Sequence, residues 1–231
     1  MKIFAISDLH LSSAQPKPMD IFGDGWTDYW NSIETDWKEK VSDDDIVLIP
    51  GDISWAMRLS DALPDLRLIG GMKGRKILLR GNHDYWWNTI GKVRDALPEG
   101  TYAIQNDCVR FGDFLFCGSR GWTCPDKGEL EPEDKKIYLR EAERLRLSFE
   151  CMSKMRKEGD KVVCLMHFPP FNVRREDSEY TKLIIKYDID CVVYGHLHGR
   201  DCRADLYVNK FGVDFYLTST DLAGHKLTRI F

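Results

Sequence analysis

Short apolar runs recur along the chain, and most of them end in polar residues that could carry chemistry. They are rich in aliphatic residues and mostly lack strict alternation, which is typical of strands covered on both faces. The runs span residues 2–7, 45–50, 76–80, 114–118, 161–166 and 191–195. Helical patterns lie between them, including residues 26–37 and 86–96 and a long charged segment at about 132–158. This alternation of strands and helices predicts an α/β fold.

The C-terminal part of the chain has a different pattern. From Ala204 onward apolar and polar residues alternate more cleanly. We predict that residues 213–219 and 225–231 form antiparallel strands joined by a turn at 221–224. The chain is therefore expected to form one domain over residues 1–231, with a mixed sheet or two packed sheets and helices outside.

Composition and charge exclude several classes of protein. Hydrophobic residues make up 43% of the 231 residues, enough for a sizeable core, and the formal net charge of −4 does not favour nucleic acid or an anionic membrane. The seven cysteines show no C-x-x-C spacing, which argues against a disulfide framework or structural zinc and favours a reducing compartment. No apolar run reaches the ~18 residues that a membrane-spanning helix needs, and the N-terminal run is too short for a signal peptide. We expect a cytoplasmic protein.

Candidate metal ligands stand at the carboxyl ends of five of these strands, the edge where ligands bind in open α/β sheets. The set comprises Asp8, His10, Asp52, Asn82, His167, His196 and His198, with His83 and Asp84 beside Asn82. Imidazole, carboxylate and amide oxygen together suit Mn²⁺, Fe or Zn²⁺. Seven ligands are too many for one ion, whereas two ions that share a carboxylate would use them and could promote phosphoryl transfer. His225 is interpreted as structural.

In their order along the chain, these motifs resemble those of the calcineurin-like metallophosphoesterases. The motifs are Asp8-x-His10, Gly51-Asp52, Gly81-Asn82-His83-Asp84, His167 and Gly195-His196-x-His198, and they extend over most of the chain. The resemblance implies a four-layer β-sandwich of two mixed sheets flanked by helices. It implies two divalent ions, with Mn²⁺ favoured and Fe²⁺ or Zn²⁺ as alternatives, and a metal-bridging hydroxide as nucleophile. One ion would be held by Asp8, His10 and His198 and the other by Asn82, His167 and His196, with Asp52 bridging them.

The resemblance also gives His83 and Asp84 roles in catalysis. His83 would face the substrate and protonate the leaving oxygen, and Asp84 would accept a hydrogen bond from His83. Asp84 could in addition cap the helix predicted to follow it. Arg120 and Arg174 are candidates for phosphate binding, because a guanidinium matches phosphate geometry.

At several positions the sequence differs from particular branches of this family, and these differences narrow the choice of substrate. The stretch after Asp52 lacks the arginine of the Ser/Thr protein phosphatases, and Trp55 stands where purple acid phosphatases have a tyrosine ligand. The stretch DLHLS is similar to UDP-diacylglucosamine pyrophosphatases, but those carry arginine at the position of His83. We expect hydrolysis of a small-molecule phosphomonoester or phosphodiester. The alternatives are a nucleotide or nucleotide-sugar pyrophosphatase and a non-catalytic metal-binding scaffold. A nuclease is a third alternative, but it would need a basic surface that the sequence does not show.

Overall fold

The computed structural model describes residues 1–17, 19–20, 23–126 and 130–231, and alternates strands with helices as expected. In chain order the elements are β1 (Ile3–Ala5), α1 (Tyr29–Lys40), β2 (Ile46–Pro50), α2 (Leu59–Gly70), β3 (Arg75–Leu79), α3 (Ile90–Ala96), β4 (Thr101–Ala103), β5 (Cys108–Phe111), β6 (Phe114–Ser119), α4 (Pro132–Met155), β7 (Lys161–Met166), α5 (Glu179–Lys186), β8 (Cys191–Tyr194), β9 (Tyr207–Lys210), β10 (Val213–Leu217) and β11 (Thr228–Arg229). A short 3₁₀ helix at Asp24–Trp26 precedes α1. None of the helices in these ranges is long and apolar enough to cross a membrane.

The strands form two mixed sheets. The first sheet has the order β11-β1-β2-β3-β4, in which β1 to β4 are parallel and β11 is antiparallel to β1. The second sheet has the order β5-β6-β7-β8-β10-β9, with β6, β7, β8 and β10 parallel and the edge strands β5 and β9 antiparallel to their neighbours. Parallel strands therefore occupy the centre of both sheets, and in the first sheet β4 extends the parallel part to one edge.

Three layers of apolar side chains hold the two sheets and the helices together. Residues of both sheets, such as Ile46 and Ile77 in the first and Val163 in the second, pack face to face. On its outer face the first sheet packs against helices through residues such as Trp37, and the second sheet does so through residues such as Phe149. Each central strand is thus buried on both faces, which explains its continuous apolar sequence. The predicted four-layer fold is confirmed.

Two of the predicted elements differ from the structure. The tail does not form an antiparallel hairpin: β10 pairs with β8 and β9 in the second sheet, whereas β11 pairs with β1 in the first. Between them the chain crosses at Ser7, whose carbonyl accepts a hydrogen bond from the Thr220 amide. The helix predicted over 86–96 begins only at Ile90. Trp26 lies outside α1, although Trp37 of the predicted apolar stripe is fully buried.

Candidate metal centre

The predicted ligands converge between the carboxyl ends of the two sheets. Asp8 and His10 follow β1, Asp52 follows β2 and Asn82 follows β3, while His167 follows β7 and His196 and His198 follow β8. The ligand atoms of Asp8, His10 and His198 lie within 4.8 Å of one another, and so do those of Asp8, Asp52 and His167. Two facing parallel sheets therefore deliver the side chains to one place, as their position at the strand ends predicts.

The arrangement of acceptor atoms around Asn82 and His167 fits a cation. His167 Nδ1 lies 3.0 Å from the Pro50 carbonyl and can donate only there, so the neutral ring turns the lone pair of Nε2 inward. That Nε2 lies 2.6 Å from Asn82 Oδ1 and 3.4 Å from Asp52 Oδ2. Asp52 Oδ2 is buried and has no hydrogen-bond partner among the described residues. Acceptors that face one another at such distances need a proton or a metal ion between them, and the donor set suits a divalent ion.

The second group of ligand atoms also has its acceptors turned toward one another. His10 Nε2 lies 3.4 Å from His198 Nε2 and 3.9 Å from Asp52 Oδ2. On the other side of Asn82, His196 Nδ1 lies 2.9 Å from Asn82 Oδ1. Asp52 thus stands between the two groups, where a bridging carboxylate would have to be.

The protonation state of the metal-free centre is set by burial and by the carboxylates of Asp8 and Asp52. Burial alone would lower the pKa of His167, but the carboxylates of Asp52 and Asp8 outweigh it and raise the pKa to about 9. Burial works against ionisation of Asp52 as well, yet His167 keeps the pKa of Asp52 below its usual value. Burial lowers the pKa of His10 and of His196 to about 3. Without metal, one proton on His167 therefore balances part of the negative charge.

Four of the predicted ligands adopt a strained backbone conformation. Asp8, His10, Asp52 and His196 have φ angles of 57°, 47°, 52° and 70°, in the left-handed region that side chains other than glycine rarely occupy. Each such residue costs on the order of 1–3 kcal/mol and persists only where the surrounding structure fixes it. At these four positions the unusual backbone conformation accompanies side chains that are turned toward the centre.

Two glycines make room for the acidic ligands. A Cβ on Gly81 would overlap the backbone and carboxylate of Asp52, and one on Gly195 would lie 2.5 Å from Asp8 Oδ2. Both glycines are therefore needed for close packing rather than for a left-handed turn. Asp8 itself is oriented by the hydroxyls of Ser7 and Ser219, which donate to its Oδ2 at 2.6 and 2.8 Å.

His83 lies beside the first sheet, at the rim of the centre. Its backbone amide donates to Asp52 Oδ1 at 2.8 Å, which ties its position to the proposed bridging ligand. Its half-buried ring is 4.7 Å from the ring of Trp55 and 5.8 Å from that of His10, while the exposed Tyr85 ring lies 6.3 Å away. Burial lowers the pKa of His83. The His83 imidazole thus lies next to the predicted ligands, but its nitrogens are not among the ligand atoms that converge at the centre.

Asp84 does not serve as the partner of His83, contrary to the sequence prediction. Its Oδ1 accepts hydrogen bonds from the Ile53 and Ser54 amides and the Trp86 indole, and its Oδ2 accepts one from the Gly81 amide, at 2.7 to 3.1 Å. It does not cap a helix either, because α3 begins at Ile90 and its N-cap is Thr89. Asp84 instead joins the loops that carry Asp52 and Asn82.

An aromatic wall that the sequence did not reveal flanks the centre. Trp55, considered only as a residue unable to bind metal, stacks on His10 with ring centroids 4.7 Å apart, and Lys17 Nζ lies 3.4 Å above the same indole. Phe168 packs on His196 at 4.0 Å. Both aromatic residues are close in sequence to a predicted ligand, and that proximity was the available signal. In the sequence Tyr85-Trp86-Trp87 that follows Asp84, both tryptophans are buried and Tyr85 is exposed at the rim.

The two arginine candidates lie in different surroundings. The Arg174 guanidinium pairs with Asp126 at 2.8 Å and with Glu176 at 3.0 Å, so its charge is already neutralised. Arg120 lies 3.5 Å from Glu141, stacks on Trp122 and keeps a buried Nε without a partner among the described residues. Its backbone carbonyl accepts the His167 amide. The geometry gives no support to phosphate binding by Arg174 and leaves Arg120 as a prediction.

His225, interpreted as structural, is packed outside the centre. Its Nε2 lies 2.7 Å from the Gly25 carbonyl and its Nδ1 3.3 Å from Thr220 Oγ1, so it has partners that the sequence did not indicate. Its ring contacts Trp26, whose indole in turn lies 6.3 Å from His10. Trp26 therefore separates His225 from the predicted ligands.

Comparisons with known proteins agree with this architecture. The chain is similar in fold to TT1561 of Thermus thermophilus, with a TM-score of 0.58, 13% identity and coverage of 99% of this chain and 97% of that one. It is also similar to AQ665 of Aquifex aeolicus, described as a protein of unknown function, with a TM-score of 0.51, 14% identity and coverage of 99% and 95%. A search of curated proteins gave no match. The family model described as calcineurin-like phosphoesterase matches residues 1–200, and the chain therefore belongs to that family.

Proposed function

We propose that the protein is a dinuclear metal-dependent phosphohydrolase that cleaves a phosphomonoester or phosphodiester of a small molecule. The observation that carries this proposal is the convergence of His167 Nε2, Asn82 Oδ1 and Asp52 Oδ2, the last of which has no hydrogen-bond partner among the described residues. Membership of the calcineurin-like phosphoesterase family supports phosphoester chemistry. We favour Mn²⁺, with Fe²⁺ or Zn²⁺ as alternatives, because imidazole, carboxylate and amide oxygens suit all three.

The residues of the centre form two groups, each of which would hold one ion. One group is Asp8, His10 and His198, the other is Asn82, His167 and His196, and Asp52 stands between them. Bound divalent ions would supply Lewis-acid polarisation of the phosphoryl oxygens and would lower the pKa of water. Ser7 and Ser219 orient Asp8, and the Pro50 carbonyl fixes the His167 tautomer, so that the ligand atoms point inward.

His83 is the proposed general acid. Its amide is anchored to Asp52 and its ring lies at the rim beside Trp55, where an oxygen leaving the phosphorus could receive a proton. The rings of Trp55, His10 and Tyr85 restrict its orientation, a role that the sequence had assigned to Asp84. A positioned acid of this kind typically contributes about 10²–10⁴-fold to the rate.

The test is hydrolysis of p-nitrophenyl phosphate and bis-p-nitrophenyl phosphate by metal-stripped protein to which Mn²⁺ is added. We expect Mn²⁺-dependent release that His83→Ala lowers by about 10²-fold or more, while bound metal and melting temperature stay unchanged. His225→Gln is the matched control, because it replaces a buried histidine outside the centre and should leave turnover close to wild type. Full turnover by His83→Ala would refute the acid role.

The remaining alternatives give different results in the same assay. A protein that binds two metal ions but releases nothing from either ester would be a pyrophosphatase or a very selective esterase. A metal-binding scaffold would also release nothing, and a protein that neither binds metal nor releases product would favour a scaffold. Added hydrolysis of a nucleotide pyrophosphate by the metal-loaded protein separates the pyrophosphatase from the scaffold.

A further inference from the structure

A cavity of about 630 Å³ adjoins the metal centre on the side of the second sheet. It is formed by the loops after β6, β7 and β8 together with β9. Its apolar lining includes Phe168, Phe171, Leu197, Ala204 and Val208. A volume of this size is typical of small-molecule sites.

The cavity adjoins the centre at one predicted ligand. His196 lines the cavity, and its Nδ1 lies 2.9 Å from Asn82 Oδ1 on the other face. Phe168, also in the lining, packs on His196 at 4.0 Å and follows His167 directly in the chain. A group held in the cavity would therefore contact a predicted ligand directly.

Most polar groups of the lining already have partners within the protein. Asn172 donates to the Pro125 carbonyl and to Glu176 and accepts two backbone amides. Arg175 pairs with Asp205. Little hydrogen-bonding capacity is left for a polar ligand such as a nucleobase, so the occupant must be mainly apolar.

Arg203 and Tyr194 are two further polar residues of the lining. Arg203 uses its Nη1 to donate to the carbonyls of Arg200 and Cys202. Tyr194 has a hydroxyl without a hydrogen-bond partner in the described part of the chain, although the residue is only 2% exposed. This hydroxyl could orient one polar atom of an otherwise apolar group.

The cavity and the proposed acid lie on opposite sheets. His83 and Trp55 follow strands of the first sheet, whereas the cavity is built from loops of the second. A leaving oxygen that takes its proton from His83 is therefore on the first-sheet side. The organic group in the cavity must then be the one that stays on phosphorus.

We propose that the cavity is a specificity subsite for an apolar, ring-sized group that remains on the phosphorus of a phosphodiester. This inference rests on the proposed function. In the reaction, a water oxygen bonds to phosphorus and the P–O bond to the leaving alcohol breaks. The alcohol oxygen takes a proton from His83, and the proton that the water loses returns His83 to its acid form. The product is a phosphomonoester whose apolar group lies in the cavity. A monoester carries only its leaving group and would not use the subsite.

The kinetic test compares diesters that share one leaving group. With Mn²⁺-loaded protein, we expect kcat/KM for phenyl p-nitrophenyl phosphate to exceed that for methyl p-nitrophenyl phosphate by at least about tenfold, because a phenyl ring buries more apolar surface. Ala204→Trp should fill the cavity and bring the ratio close to one, and Ala204→Ser is the size-matched control. Cys202→Trp, at a partly exposed position of the lining, is a second variant that should fill the cavity, and Cys202→Ser is its control.

A binding measurement separates failure of the subsite from failure of the proposed function. Phenylphosphonate and methylphosphonate cannot be hydrolysed at their P–C bonds, and calorimetric titration of metal-loaded protein should show tighter binding of the phenyl compound, lost in both tryptophan variants. If no ester is cleaved while this preference holds, the phosphohydrolase proposal fails and the subsite stands. If both diesters are cleaved at equal kcat/KM and both phosphonates bind equally, the subsite is refuted.

Discussion

Asp52 and Asp84 are buried to the same extent, yet their surroundings are opposite. Both follow strands of the first sheet and are at most 1% exposed. The carboxylate of Asp84 accepts four hydrogen bonds. Asp52 accepts one from the His83 amide through Oδ1, while its Oδ2 accepts none within the described ranges. The difference separates a carboxylate that holds the structure together from one that is available to a metal ion.

The charges around the two carboxylates support the same distinction. Burial, aided by the charge of Asp52, raises the pKa of Asp84 to about 6, and the groups that oppose this rise are backbone amides. Burial also opposes ionisation of Asp52, but His167 overcomes it and lowers the pKa. The structure thus provides backbone amides for Asp84 and a positive charge for Asp52. A proton on His167 or a metal ion can supply that charge.

The largest effect on stability is expected when Asp84 is removed. Asp84→Ala leaves the buried amides of Ile53, Ser54 and Gly81 without acceptors, and should lower the free energy of unfolding by at least about 3 kcal/mol. Chemical denaturation of the metal-free protein measures this change. Asp43→Ala, in an exposed turn, is the control and should stay near wild type. Equal stability of the two variants would show that the amides find other acceptors.

Asp52→Asn should affect metal binding and activity rather than the fold. It replaces the proposed shared anionic ligand by an amide of equal size, and we expect bound metal to fall below two ions and turnover to fall by about 10²-fold or more, since even outer-shell partners cost 10–100-fold. Metal analysis and the p-nitrophenyl assay measure both. Two retained ions would contradict the bridging assignment. A loss of stability as large as that of Asp84→Ala would remove the distinction between the two carboxylates.

The pH dependence of stability offers a third test, in metal-free protein. The pKa of His167 is raised from 6.5 to about 9, so its contribution is complete below pH 6.5 and is lost as pH rises through about 9. The contribution of Asp84, whose pKa is raised from 3.8 to about 6, changes only at lower pH, between those two values. Thermal melts between pH 7 and 9 should therefore show falling stability that His167→Asn abolishes. Metal-loaded protein should lack this decline, because the ion replaces the proton.

The fold was predictable where strands are buried on both faces. The central strands stood out as apolar runs because both faces pack against side chains. The edge strands β4, β5 and β9 are short and partly exposed, and they gave no such signal. The predicted pairing of the two C-terminal strands is wrong for a physical reason. Alternation of apolar and polar residues shows that one face of a strand is buried, but it does not identify the neighbouring strand. That neighbour is set by the crossing near Ser7.

The candidate site was predictable from residue types and their position after strands, but the supporting contacts were not. The resemblance implies that Asp84 accepts a hydrogen bond from His83, whereas its side chain reaches amides 30 and 31 residues away. The cavity is lined by three loops that are far apart along the chain. Such contacts depend on how the two sheets are packed, which local patterns do not encode.

Asp8 combines features of Asp52 and of Asp84. A substitution beside Asp8 is expected to have the smallest effect of the variants considered. Its Oδ2 accepts hydrogen bonds from Ser7 and Ser219, as a structural carboxylate would, yet it lies within 4.8 Å of the ligand atoms of His10 and His198. Ser219→Ala removes one of these donors and should weaken Mn²⁺ binding by about tenfold, with a stability change of about 1 kcal/mol or less. Competition with a fluorescent chelator measures the affinity.

The control for this variant is Ser153→Ala, which removes a hydroxyl that donates to the Phe149 carbonyl within α4. It should leave Mn²⁺ affinity unchanged, because α4 packs on the outer face of the second sheet, away from the ligands. If Ser219→Ala also leaves the affinity unchanged but lowers stability as strongly as Asp84→Ala, then Asp8 belongs with Asp84 as a structural carboxylate. A tenfold loss of affinity with little change in stability would place it with Asp52, because a hydrogen bond that orients a ligand is felt mainly when the metal binds.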